Sequence, residues 1–164
     1  MKLNKIFAGL VLVGSLIACE KEYESEALPN YEMSGQWYVR TYVGDTSLLA
    51  LDYVEIVTSN TAATDGSELL IDDHENIWPF KVKVISNPSD LSFEGANVEN
   101  LYWPEYDTIQ QNATVSGKIY PNKGHSLTGI VVDSIYIEAE FSDDPGTTYI
   151  FAGHYRTGFE EDEP

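Results

Sequence analysis

The sequence predicts an all-β single domain of about eight antiparallel strands, on three observations. From residue 36 onward apolar and polar residues alternate with period two, and no long window shows clean helical periodicity. The runs are separated by turn chemistry: Thr64-Asp65-Gly66, Asn87-Pro88-Ser89-Asp90, Pro121-Asn122-Lys123-Gly124 and Asp143-Asp144-Pro145-Gly146. The composition, 43% hydrophobic and 12% aromatic, supplies a core despite a formal charge of −18, which excludes wholesale disorder.

In chain order the alternation places strands near residues 36–43, 52–59, 68–72, 78–86, 91–94, 112–120, 133–142 and 147–156. The clearest are Trp78, Phe80, Val82 and Val84 against Pro79, Lys81 and Lys83, and Ile135, Ile137, Ala139 and Phe141 against Ser134, Tyr136, Glu138 and Glu140. Each gives one dry face. Eight such strands suit either a closed barrel or a sandwich. Two features favour the barrel. Gly35-Gln36-Trp37 resembles the lipocalin-like G-x-W, in which the Trp plugs the closed end, and Arg156 near the other terminus is placed to lay its guanidinium on that indole. The resulting expectation is a lipocalin-like antiparallel β-barrel in which Trp37 and Arg156 close the barrel. The inferred inward faces mix small residues (Ala113, Val115, Gly117, Ala139) with Trp78, Phe80 and Phe141, so the sequence does not decide whether the interior is open or filled.

The amino end reads as a targeting segment. Lys2 and Lys5 precede an apolar stretch from Ile6 to Ile17, which is too short to cross a hydrocarbon core of about 30 Å as a helix. It ends Leu16-Ile17-Ala18-Cys19, which resembles the bacterial lipobox, so residues 1–18 are expected to be a lipoprotein signal peptide and Cys19 the lipidation site. Acyl chains on Cys19 would hold the protein on a membrane without a spanning segment. The acidic run Glu20 to Glu26 reads as a tether, giving a layout of 19–34 tether, 35–159 barrel and 160–164 acidic tail. That run also resembles the export signal that carries Bacteroidetes lipoproteins to the outer leaflet, which implies an outer-membrane protein exposed at the cell surface. Asp107-Thr108-Ile109 and Asp133-Ser134-Ile135 resemble O-glycosylation sites of the same phylum.

Charge and cysteine content exclude several function classes. Nine basic residues against 27 acidic ones leave no Lys/Arg stripe for nucleic acid and no polybasic patch for anionic lipid. One cysteine allows neither an internal disulfide nor a Cys-cluster metal site.

A more specific resemblance covers most of the chain. Asn60-Thr61-Ala62, Leu70-Ile71-Asp72-Asp73, Trp78-Pro79-Phe80-Lys81-Val82-Lys83 and Gly153-His154-Tyr155-Arg156-Thr157-Gly158-Phe159 resemble the Bacteroidetes lipid-binding putative hydrolase family. The resemblance implies a lipocalin-like barrel on a secreted lipoprotein and, through the name, lipid binding and hydrolysis. It brings no catalytic residues to transfer.

The residues themselves offer little catalysis. Gly124-His125-Ser126-Leu127-Thr128-Gly129 approaches the G-x-S-x-G elbow, but Thr128 stands where glycine is required and the context is strand, turn, strand. Asp72-Asp73-His74-Glu75 alternate faces on an extended chain and cannot converge on one ion. No catalytic residue, metal ligand or cofactor is therefore nominated. The segment Leu101 to Asp107, with Tyr102, Trp103 and Tyr106, must pack on something and is expected to fold across an open barrel end. Trp78, Phe80, Trp103, Tyr106 and Phe141 are the candidate ligand residues at the cavity or its mouth. The leading expectation is a monomeric lipid-anchored protein that holds a small hydrophobic or amphipathic ligand. A glycan-binding accessory lipoprotein and a lipid ester hydrolase are the alternatives.

Overall fold

The computed structural model describes residues 28–63, 65–103 and 109–164. Its strands are β1 (Gly35–Val43), β2 (Leu49–Asn60), β3 (Glu68–Asp72), β4 (Lys81–Asn87), β5 (Ser92–Glu99), β6 (Asn112–His125), β7 (Val131–Phe141) and β8 (Tyr149–Tyr155). Each pairs antiparallel with the next. β8 then returns to β1, with Trp37 opposite Tyr155 and Val43 opposite Tyr149, so the sheet closes into an eight-stranded barrel. At this seam a Cβ on Gly153 would lie 1.8 Å from the Tyr38 carbonyl oxygen, so only glycine lets the two backbones approach this closely.

Alternate residues fill the interior. Val39, Ile56, Ile71, Val82, Val115 and Ile137 are each 2% exposed or less, and side chains of this kind contribute about 1.5–3 kcal/mol apiece on burial. Among the described residues the body of the barrel is thus a packed, mostly aliphatic core. Trp37 plugs one end at 1% exposure. Its indole N–H donates to the Thr58 hydroxyl (2.8 Å), and that hydroxyl donates to the Met33 carbonyl (2.6 Å).

Three local departures from the sequence reading have physical causes. β4 begins at Lys81, so Trp78 and Phe80 belong to the β3–β4 loop. Their alternation mimics a strand, but the amides of Glu75, Ile77, Trp78 and Phe80 all donate to the Asp73 carboxylate instead of to a sheet neighbour. Pro121-Asn122-Lys123-Gly124 is not a connecting turn. β6 runs through it as a bulge, with Asn122 at φ 56 and its amide on Asp133 Oδ1 (2.8 Å), and the loop follows at Ser126–Ile130. Residues 28–34, assigned to the tether by sequence, pack on the plugged end, with Asn30 and Met33 fully buried.

The acidic C-terminal residues fold back onto the outer wall. Asp162 is 2% exposed and accepts from the Thr128 amide (2.8 Å) and hydroxyl (2.7 Å) and from the Thr157 hydroxyl (2.8 Å). Burial alone would raise its pKa, but these hydrogen bonds outweigh burial and hold it at about 2. Glu163 meets Tyr38 and pairs with Arg156 (2.7 Å).

A candidate ligand site at the open end

The end opposite Trp37 is built from the β1–β2, β3–β4 and β7–β8 loops and the described part of the β5–β6 loop. There the aliphatic body gives way to rings. Phe80 meets Phe141 edge-on (centroids 5.2 Å apart) and stacks on Phe151 (5.9 Å), while Tyr149 closes on Phe141 (5.5 Å). Above this aromatic floor lies a cavity of about 480 Å³, walled by Leu51, Ile77, Trp78, Phe141, Tyr149 and Phe151. Its size falls within the range of about 300–1,000 Å³ typical of small-molecule sites.

Polar residues hold the mouth in shape. By gathering four amides, Asp73 curls the β3–β4 loop so that Ile77 and Trp78 reach the cavity. Burial pushes the Asp73 carboxyl up, against the lowering effect of those amides. Asn100, fully buried, donates to the Pro79 carbonyl and to Gln111 Oε1 (2.6 Å each) and accepts the Lys81 amide (3.1 Å). Gln111 Nε2 in turn donates to Asp143 Oδ1 (2.7 Å). Three loops are thereby laced through side-chain amides. Below them, Asp72 accepts from the Tyr102 hydroxyl (2.7 Å) and pairs with Lys81 (2.8 Å), which keeps its carboxyl low despite burial.

Two acidic side chains and one hydroxyl complete the lining. Asp143 and Asp144 stand at the rim, where Asp144 accepts from the Tyr149 hydroxyl (2.7 Å) and raises the pKa of that phenol. Thr41, on the inner face of β1, is 3% exposed, and its hydroxyl has no hydrogen-bond partner among the described residues. Such groups are uncommon in native cores.

Of the residues nominated from sequence, Trp78 (47% exposed) and Phe141 line the cavity, and Phe80 forms the floor beneath it. Trp103 is partly buried, with its amide on the Asn100 carbonyl (3.2 Å), and is not brought to the cavity. Tyr106 and Cys19 lie outside the described residues, as do the signal segment and all but the last residues of the expected tether. Trp37 sits in the plug, but the expected contact with Arg156 is corrected. Strand alternation turns Tyr155 inward, edge-on to the indole at 5.2 Å, and leaves Arg156 outside. There the guanidinium lies over Tyr38 (5.8 Å), donates to Gln36 (3.0 Å) and pairs with Glu163, bridging last strand to first by another route. Sequence reasoning missed Thr41, Leu51, Ile77, Asp143, Asp144 and Phe151. Phe151 carried a readable signal, being in register with the inward residues of its strand.

Ser126 occupies the loop between β6 and β7, with no helix after it. It is 6% exposed, its hydroxyl oxygen accepts the Ile130 amide (3.1 Å), and it shares a hydrogen bond with the Thr128 hydroxyl (3.3 Å), which donates to Asp162 Oδ1 (2.7 Å). His154 lies buried on the outer wall between Tyr38 and Tyr53, and burial lowers its pKa. Serine, histidine and aspartate thus gather under the C-terminal residues. However, His154 Nε2 has no hydrogen-bond partner among the described residues, so no base is bound to the serine. The cluster is also on the wall and not in the cavity.

A second concavity of about 450 Å³ lies along the barrel wall beside Ile85, Glu94, Lys118, Tyr120, Tyr136 and Glu138. Burial and the hydrogen bond to Glu138 push the Tyr136 phenol up to about 12.

No curated protein matches the chain. Among solved structures, a Bacteroides ovatus structural-genomics protein of unknown function, at 2.40 Å resolution, aligns over 77% of the chain with a TM-score of 0.43 and 14% identity. The aligned part of this chain spans 43% of that protein. A family model described as lipid-binding putative hydrolase matches residues 22–160. With most of its length matched, the chain belongs to the lipid-binding putative hydrolase family.

Proposed function

We propose that the protein binds one small apolar or amphipathic, lipid-like ligand at the open end of its barrel. The carrying observation is the cavity of about 480 Å³ over the Phe80, Phe141 and Phe151 rings, a place among the described residues with room for a guest. Membership of a lipid-binding family supports the reading. The apolar tail enters between Trp78 and Leu51 and rests on the phenyl rings, and the polar head stays at the rim. The test is saturable binding of the neutral fluorophore N-phenylnaphthylamine to protein exchanged out of detergent. Ala50→Trp, which places an indole at the cavity rim, abolishes that binding. Wild-type protein without a saturable signal would sink the reading.

The same proposal places the protein on the outer membrane at the cell surface, held by acyl chains on Cys19, and rests there on the Leu16-Ile17-Ala18-Cys19 motif and the acidic run that follows. Intact-mass measurement of the native protein, with Cys19→Ser released from membranes, checks the anchor. Protease treatment of whole cells checks exposure.

A second reading, glycan binding, is favoured by the groove on the barrel wall, where Tyr120 and Tyr136 stand beside carboxylates as platforms for a sugar ring. Tyr136→Ala would then abolish retention on glycans and leave fluorophore binding intact.

A further inference from the structure

We infer that the cavity at the open end is specific for long-chain amines, and that Thr41 receives a hydroxyl or carbonyl next to the amine. This rests on the cavity being the ligand site. The described lining contains two carboxylates, Asp143 and Asp144, and no lysine, arginine or histidine. Neither carboxylate has a cationic partner among the described residues. Asp143 accepts from Gln111 and Asp144 from Tyr149, neutral donors that orient a carboxylate without cancelling its charge. A carboxylate offers about four lone-pair sites, so both retain capacity toward the mouth. A fatty-acid headgroup at this rim would meet two like charges, whereas an ammonium would meet two of opposite sign.

Thr41 is an independent observation. Its side chain lines the cavity at 3% exposure, and its hydroxyl is shielded from water with no partner among the described residues. A pure hydrocarbon tail would leave that group unsatisfied. A χ1 rotation moves the hydroxyl between staggered positions, so it can meet a polar atom on the occupant. An alkyl amine with a vicinal hydroxyl offers a group to each of these features: an ammonium to Asp143 and Asp144, a hydroxyl to Thr41 once its χ1 has turned, and a chain to the aromatic floor.

The test uses four twelve-carbon probes, each below its micelle concentration, to displace N-phenylnaphthylamine from the protein: dodecylamine, the corresponding vicinal amino alcohol, dodecanol and dodecanoate. The expected order is amino alcohol, amine, alcohol, carboxylate, with the amine about tenfold tighter than the carboxylate. In wild-type protein that gap narrows as salt is raised. The double variant Asp143→Asn with Asp144→Asn removes the gap and, by retaining amide oxygens for Gln111 and Tyr149, keeps the mouth folded. Thr41→Val removes the advantage of the amino alcohol over the amine. Equal displacement by all four probes, or tighter binding of dodecanoate than dodecylamine, overturns the amine specificity and leaves the cavity as the site. Fluorophore binding that no probe displaces overturns the cavity reading as well.

Discussion

The Asp73 carboxylate accepts the Trp78 amide at 2.8 Å and the Phe80 amide at 3.1 Å, so one acid positions a wall of the cavity and part of its floor. A loop that would otherwise read as strand is folded around a buried side chain. Asp73→Ala orphans four amides, of which the Phe80 amide is buried, and is expected to cost about 3 kcal/mol or more of stability in urea unfolding. Fluorophore binding falls with it, because Ile77 and Trp78 lose their positions. Asp73→Asn keeps the acceptor oxygen and loses less.

At the plugged end, Trp37→Ala is expected to cost about 3–5 kcal/mol, combining a large cavity with a Thr58 hydroxyl deprived of its donor. The fluorophore-binding constant of the folded fraction stays unchanged, since the plug and the mouth are at opposite ends.

The seam gives a sharper test of closure. A methyl on Gly153 collides with the β1 backbone, not with a movable side chain, so Gly153→Ala is expected to cost at least about 1–3 kcal/mol and to speed amide exchange along β1 and β8 selectively. Unchanged exchange at Val39 and Phe151 would contradict the closed barrel.

Acid acts on the wall through two groups. His154 has its pKa lowered by burial, so on acidification the unfolded chain takes up the proton first, and stability declines as pH falls below about 6.5. His154→Phe, which suits the rings of Tyr38 and Tyr53, flattens the melting temperature between about pH 7 and pH 5. Asp162 behaves as a depressed acid. Its contribution is complete above the ordinary carboxyl range and is lost as pH falls through about 2, so the C-terminal residues stay docked through mild acid.

Ser126→Ala removes an acceptor for the Ile130 amide and is expected to cost about 1 kcal/mol. With no imidazole on its hydroxyl, any ester turnover measured for the wild-type protein is unchanged in this variant. A drop in turnover at constant melting temperature would restore Ser126 as a nucleophile.

Much of the barrel was legible because strand alternation and turn chemistry obey local rules. Ile135, Ile137, Ala139 and Phe141 read as a half-dry strand and are one. The failures came where a single side chain redirected the backbone. Asp73 converted an alternating run into a loop, and Asp133 with Asn122 absorbed a turn-like sequence into a bulge. The site was less legible. Trp78 and Phe141 stood out as large rings, but Asp143 and Asp144 carried ordinary turn chemistry, and Thr41 is an unremarkable strand residue until the barrel closes around it. Arg156 was misplaced because the face it occupies depends on the β1–β8 register, which puts Tyr155 opposite Trp37.

The chain enters the barrel through residues packed beneath Trp37, at the pole opposite the cavity. A label or a solid surface coupled at residue 28 is therefore expected to leave the mouth unobstructed.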